Sequence, residues 1–366
     1  MAGKTKILVT GASGFIGSFI CEKAVELGMH TWAGMRQQSS RKYLSDLQLD
    51  YQTLDLTNPQ TLLQQLQEAK QTMGGWDYVV HAAGATQGRD QADFDRNNYD
   101  CTVNLVNALR QAGITPRLFV YLSSLSVLGP IREPGPDGQC TPLAATDEPQ
   151  PNTAYARSKV KSERFLQSLS DFPCVIMRPT GVYGPREKDY FIQIKSIYRH
   201  LAFTAGWQKQ TLTFVYVRDV VGAIFAAIAQ EQQGNLANIQ GKIYHLSDGN
   251  TYTTEEFNEL VKKDLGVKGL FTFRAPLWLL RGVCGVCGAW AKAFHTKSTL
   301  NSDKYNILKQ RNWNCDITPM RQELHYEPQW PLQKGLAETD RWYLDHGWME
   351  PAWYTKRLLH TLKNDA

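Results

Sequence analysis

The tightest constraint on this chain is three glycines at a spacing of three: Gly11, Gly14 and Gly17 in Thr10-Gly11-Ala12-Ser13-Gly14-Phe15-Ile16-Gly17, directly after the apolar run Ile7-Leu8-Val9. The apolar run reads as a buried strand, and residues 14–28 carry the pattern of a helix. Small residues are needed where a chain leaves a strand, turns tightly and opens a helix, because a side chain there would keep the backbone away from a pyrophosphate at the helix N-terminus. Gly11, Ser13, Gly14, Phe15, Ile16 and Gly17 are therefore the expected phosphate-side contacts of a dinucleotide.

The strand–helix rhythm continues through the first half. Apolar runs near residues 6–10, 30–34, 49–54, 77–82, 117–123 and 173–178 alternate with helical stretches near 14–28, 59–70, 91–112 and 152–170. This is the order of an α/β, doubly wound parallel sheet (Rossmann) covered by helices on both faces. We expect a dinucleotide-binding domain over residues 1–178 and a smaller C-terminal α/β substrate-binding lobe over 179–366, with 212–247 packing back on the sheet. Gly129 to Asn152, rich in Pro, Gly and Asp, reads as a surface loop, and Thr253-Thr254-Glu255-Glu256 as a capping box that starts a helix.

The 40 basic and 35 acidic residues are spread along the chain with no Lys/Arg block, so the net charge of +5 does not point to nucleic acid. Seven cysteines at irregular spacing argue for reduced thiols in a cytoplasmic setting, and no signal peptide is expected ahead of the first strand. No metal is expected: Cys284-x-x-Cys287 has no second pair or neighbouring His to complete a ligand set.

Two further segments carry chemistry. Tyr155 and Lys159 stand four apart, on one face of a helix, where an ammonium is expected to favour the phenolate. Ser123-Ser124 ends the fifth strand with hydroxyls. At the end of the second strand Ala33-Gly34-Met35-Arg36 offers no carboxylate for a ribose hydroxyl, whereas Arg36 can pair with a 2′-phosphate. NADP(H) is favoured on that ground, with NAD(H) as the alternative.

In this order the segments resemble the extended short-chain dehydrogenase/reductases, the NAD(P)-dependent epimerase/dehydratase family. The resemblance implies that Ser124 hydrogen-bonds the substrate oxygen, Tyr155 transfers its proton, and Lys159 lowers the Tyr pKa and holds the nicotinamide ribose. It also implies that Asp55-Leu56 contacts adenine, that Ala82, Ala83 and Gly84 after His81 let the cofactor lie against the backbone, and that Asn98, Pro179 and Val182 complete its site. His81 itself is expected to be a packed strand residue. Thr86, Ser124, Tyr183, Arg186, Tyr216 and Trp278 are expected to face the substrate, and the family implies a homodimer. Cys101 replaces the small Gly of the family's helix start, a departure that touches packing rather than chemistry.

Departures narrow the branch. Leu125-Ser126 stand where sugar-nucleotide dehydratases carry Asp-Glu, and Thr180-Gly181 and Leu212 where sugar-nucleotide epimerases carry an Asn and an Arg. What remains resembles the 3β-hydroxysteroid dehydrogenase-like and dihydroflavonol reductase-like enzymes, implying an apolar ketone or alcohol substrate. Ala275 to Phe294, apolar almost all round, fits a lid or substrate wall, with a peripheral membrane contact as the other reading and a membrane span disfavoured by Arg281 and Lys292. A nucleotide-sugar epimerase and a non-catalytic NAD(P)-binding regulator are the alternatives to an oxidoreductase.

Overall fold

The computed structural model describes residues 4–293 and 301–350. In the first half, β1 (Lys6–Thr10), α1 (Phe15–Glu26), β2 (His30–Met35), β3 (Asp50–Thr53), α2 (Pro59–Met73) and β4 (Tyr78–His81) follow one another closely. A short α3 (Gln91–Phe94) and α4 (Cys101–Ala112) precede β5 (Leu118–Leu122), α5 (Ala154–Gln167) and β6 (Cys174–Pro179). The second half interleaves β7 (Gly181–Tyr183), α6 (Asp189–Tyr198), β8 (Leu201–Ala205), β9 (Phe214–Tyr216), α7 (Val217–Gln232), α8 (Leu236–Ile239) and β10 (Ile243–Leu246). It ends with α9 (Thr254–Asp264), β11 (Phe271–Ala275), α10 (Leu277–Ala293), α11 (Ser302–Lys309), α12 (Thr318–Glu323) and α13 (Leu332–Asp345).

Seven strands form one parallel sheet in the order β10-β6-β5-β4-β1-β2-β3. Strands β4, β5 and β6 are buried along their whole length, as continuous apolar runs covered on both faces must be. The order reverses between β1 and β4, and a crevice at the carboxyl ends of strands opens at such a switch point. Two small parallel pairs, β7 with β9 and β8 with β11, stand outside the main sheet. The capping box at Thr253 and Glu256 is present and opens α9.

The stretch expected as one helix over 91–112 is interrupted. Residues Asp95–Asp100 form a π-helical turn between α3 and α4. Asn98 explains the interruption: buried in that turn, it accepts from the Ala85 amide at 2.7 Å and donates to the Ala85 carbonyl at 3.1 Å. Cys101 is buried just after it, its thiol donating to the Arg96 carbonyl, so sulfur fills the place of the family's glycine.

The loop from Gly129 to Asn152 is tied down by residues far along the chain. Gln310 donates to the Gly129 carbonyl, Asn312 to the Thr141 carbonyl and Asn306 to the Asn152 carbonyl. Asp303 of α11 accepts from the Ala154 amide at 2.7 Å, the first residue of α5.

Candidate active site

At Gly11 the chain turns out of β1 with a φ of +70°, and a Cβ there would lie 2.7 Å from the Ala83 backbone. A Cβ on Gly17 would collide with the Gly11 carbonyl oxygen. Both positions need glycine, and together they bring α1 hard against the end of β1. Gly14 caps α1 with no side-chain hydrogen bond, and no acidic residue stands in the first turn. No side chain therefore competes for the first-turn amides, which with the helix dipole are the donor set a pyrophosphate takes. Ser13, Phe15 and Ile16 lie partly exposed around this turn.

Across the switch point, Ala82 and Ala83 continue β4 with their amides on Thr10. At Gly84 a Cβ would lie 3.1 Å from Asn98 Oδ1 and 3.3 Å from Lys159 Nζ, so the turn, the π-helical Asn and the α5 lysine converge. Asn98 also donates to Ser158 Oγ at 2.9 Å, which locks the π turn to α5. Lys159 is buried, donates to the Leu122 carbonyl at 2.7 Å and lies 4.8 Å over the Tyr121 ring. Ser124 caps the short 3-10 turn Leu125–Leu128, its Oγ accepting from the Ser126 amide at 3.2 Å and lying 2.9 Å from Ser126 Oγ. Half-buried Tyr155 sits edge-on to Phe94, with Ser124 as a hydrogen-bond partner.

The electrostatics differ from the expectation that the lysine would make Tyr155 a stronger acid. Burial pushes the Tyr155 phenol up to about 12; the Ser124 hydrogen bond opposes this and the Glu163 carboxylate adds to it. Burial lowers the Lys159 ammonium to about 8, against the pull of Glu163. Desolvation outweighs the short spacing because both groups are removed from water together. Tyr155 is consequently protonated at neutral pH.

His81 is fully buried between the Thr10 and Thr102 hydroxyls, at 2.7 and 3.1 Å, and burial followed by the Lys159 charge drops it to about 3. It is a neutral packing residue, as expected. Glu163 gave no sequence signal beyond lying four residues after Lys159, yet it is central. Buried with Arg178, it takes a bidentate pair from the guanidinium at 2.7 and 2.9 Å and a hydrogen bond from Ser123. Through Arg178 the carboxylate ties α5, which carries Tyr155 and Lys159, to β6, and through Ser123 it ties α5 to the end of β5, where Ser124 sits.

At the outer end of the crevice Asp55 accepts from Thr57, and the Leu56 carbonyl accepts from Asn104 of α4. Arg36 is exposed just past β2, with its charge felt at Cys101 alongside that of Asp55. Pro179 is buried at the end of β6, Val182 half-buried in β7, and Thr86 exposed in the loop after β4.

Four residues expected to face the substrate are placed elsewhere. Tyr183 and Tyr216 have no exposed surface and pack on one another, on Phe214 and on Trp330, so they belong to the aromatic core. Arg186 pairs with Glu22, donates to Ser18 at 2.8 Å and lies between the Phe19 and Tyr43 rings, a tie between the turn after β7 and α1. Trp278 is 75% exposed on the outer face of α10 and encloses nothing. Phe294, at the end of that segment, lies outside the described residues. Among the described residues no three metal-ligating side chains cluster, at Cys284 and Cys287 or elsewhere.

A seven-stranded parallel sheet with a glycine turn at its switch point defines a dinucleotide-binding enzyme fold. Residues 7–240 match the model of the NAD-dependent epimerase/dehydratase family, and the chain belongs to it. It is thus an NAD(P)-dependent enzyme of a family acting on CH–OH groups. Among curated relatives, the sterol-4-alpha-carboxylate 3-dehydrogenase (decarboxylating) of Dictyostelium discoideum is 25% identical, with 91% of this chain and 99% of the relative covered. The ceramide reductase of Caulobacter vibrioides is 23% identical over 94% of this chain and 96% of its own. The dTDP-glucose 4,6-dehydratase of Bacillus anthracis, solved in complex with NAD, has the same fold, with a TM-score of 0.71 and 17% identity over 95% of this chain and 99% of that one.

Proposed function

We propose that this chain is an NADP(H)-preferring oxidoreductase that interconverts a ketone and a secondary alcohol on an apolar, steroid-, sphingoid- or flavonoid-like skeleton. The observation that carries the reading is the convergence of Ser124, Tyr155 and Lys159 beside Gly84 and Asn98 at the carboxyl end of the sheet. The bound dinucleotide supplies or accepts the hydride. The amides around Gly11, Ser13, Gly14, Phe15, Ile16 and Gly17 would hold its pyrophosphate, Asp55, Leu56 and Arg36 its adenosine end, and Ala82, Ala83, Gly84, Asn98, Pro179 and Val182 the nicotinamide side. In the reducing direction Tyr155, a neutral phenol, gives its proton to the substrate oxygen, and Ser124 donates a second hydrogen bond to it. Lys159, positively charged below about pH 8, balances the phenolate left behind.

Two features support an apolar substrate over a nucleotide sugar. At Gly181, near where epimerases carry an Asn, a Cβ would collide with the Tyr190 hydroxyl, so no side chain fits. Leu212, in place of an Arg, packs against the core with its backbone paired to Tyr252. The names of the sterol and ceramide relatives point the same way. The test is NADPH consumption with a panel of lipophilic ketones beside UDP- and dTDP-sugars. Turnover of the ketones, with kcat/KM rising with apolar area, is expected; epimerisation of a nucleotide sugar with every ketone inert overturns the reading.

The cofactor preference rests on Arg36, exposed and without a neighbouring carboxylate in β2. A charge-assisted pair to a 2′-phosphate should favour NADPH over NADH by roughly 1.5–3 kcal/mol. Fluorescence titration of both cofactors reads this gap directly, and Arg36→Ala should narrow it. Equal affinities in the unmutated protein would refute the preference.

The lowered Lys159 value gives a pH dependence of definite sign. Its ammonium is present below about pH 8 and lost as the pH rises through that value. The kcat/KM for ketone reduction should therefore decline above pH 8, and Lys159→Arg, whose guanidinium does not titrate, should remove that decline at a lower overall rate. A break in the profile that survives Lys159→Arg unchanged would assign it to another group.

A further inference from the structure

A large apolar surface left over by the site lies in the second half of the chain, on the paired strands β8 and β11 and on α10, which follows β11. In the parallel pair of β8 and β11, Leu201 stands opposite Phe271 and Phe203 opposite Phe273, and all four side chains are 42–67% exposed on one face. Pro276 then leads into α10, which buries Leu280 and Cys284 and turns Trp278, Leu279, Val283 and Val286 outward. The outward face of this helix is apolar, the inverse of an ordinary surface helix. Such an extended exposed patch marks a docking surface.

Charge identifies what it docks on. No acidic residue occurs between Asp189 and Asp219, or between Asp264 and Asp303, although the chain of 366 residues contains 35. The described side chains of the same intervals include Lys195, Arg199, Lys209, Arg218, Lys268, Arg274 and Arg281. Of the acids that approach from elsewhere, Glu255 pairs with Arg274 at 2.9 Å, Glu338 pairs with Arg218 at 3.0 Å, and Asp303 is engaged by the Ala154 amide. An open basin of about 260 Å³ beside the strand pair is lined by Trp207, Lys209, the Arg274–Glu255 pair and Thr204, whose buried hydroxyl has no partner among the described residues. Lys209, Lys268 and Arg281 are exposed with no carboxylate partner among the described residues, and apolar side chains flanked by such cations suit an anionic bilayer. A second copy of this chain would bring like charge against like. No helix among the described residues is long and apolar enough to cross a membrane.

We propose that β8, β11 and α10 form a peripheral docking face for anionic lipid bilayers, on which Phe203, Phe273, Trp278 and Val286 enter the interfacial layer while Lys209, Lys268 and Arg281 meet lipid phosphates. The face is independent of the identity of the substrate. The full chain should co-sediment with vesicles of phosphatidylglycerol and phosphatidylcholine at least tenfold more than with pure phosphatidylcholine, and raised salt should weaken the binding. Phe273→Glu and the pair Trp278→Glu with Val286→Glu should each cut the bound fraction about tenfold, with the melting temperature and NADPH titration unchanged because these side chains are exposed. Absence of binding to both vesicle types overturns the proposal. So does a change from dimer to monomer in the Glu variants with vesicle binding intact, since the face would then be a self-association surface.

Discussion

Tyr155→Phe should lower turnover by about 10² to 10⁴ while leaving cofactor affinity largely intact. The ring stays, so its edge contact with Phe94 and the shape of the crevice persist. What disappears is the hydroxyl whose proton, retained at neutral pH through burial, is the one available to a substrate oxygen beside Ser124. Single-turnover reduction followed at the nicotinamide absorbance separates the two consequences: the chemical step slows and the cofactor titration does not move. Near-normal turnover in the Phe variant would remove Tyr155 from the mechanism.

Glu163→Ala should cost about 3–5 kcal/mol of folding stability, read as a lower denaturation midpoint, because it leaves the Arg178 guanidinium buried and uncompensated. Both side chains are within 2% of complete burial, so water cannot replace the lost partner. Replacing both, Glu163→Leu with Arg178→Met, should recover most of the loss, since removing the pair together leaves no charge stranded. A second readout follows from position. Glu163 holds the Lys159 value up, so its removal should move the alkaline limb of the reduction profile to lower pH. An unchanged midpoint and an unchanged limb together would show that the pair is idle.

The first six strands and the glycine turn could be read in advance because continuous apolar runs bounded by small residues admit few alternatives. The π turn could not: nothing in Asp95-Arg96-Asn97-Asn98-Tyr99-Asp100 breaks a helix, and the interruption comes from a carboxamide meeting the Ala85 backbone 13 residues earlier. The family resemblance puts Tyr183 and Tyr216 at the substrate, yet an aromatic ring serves a core equally well, and packing decides. Glu163 escaped notice since a glutamate on a helix reads as solvated until its buried arginine is known. The Tyr155–Lys159 spacing was legible, but the direction of the pKa shift depends on desolvation, which spacing does not encode. Residues 275–293 were legible as apolar, whereas their outward orientation follows from which face α11 covers.

The bond from Asp303 to the Ala154 amide sets a rule for building hybrids of this enzyme. The carboxylate belongs to α11, nearly 150 positions downstream, and it anchors the peptide immediately ahead of Tyr155. A chimera that borrows its C-terminal half from a relative, to acquire a different ligand preference, replaces that anchor along with Asn306, Gln310 and Asn312, which secure the preceding loop. The two halves are consequently not interchangeable cassettes, and a graft must import residues 129–153 together with 301–316 as one matched unit if the proton-donating phenol is to keep its place.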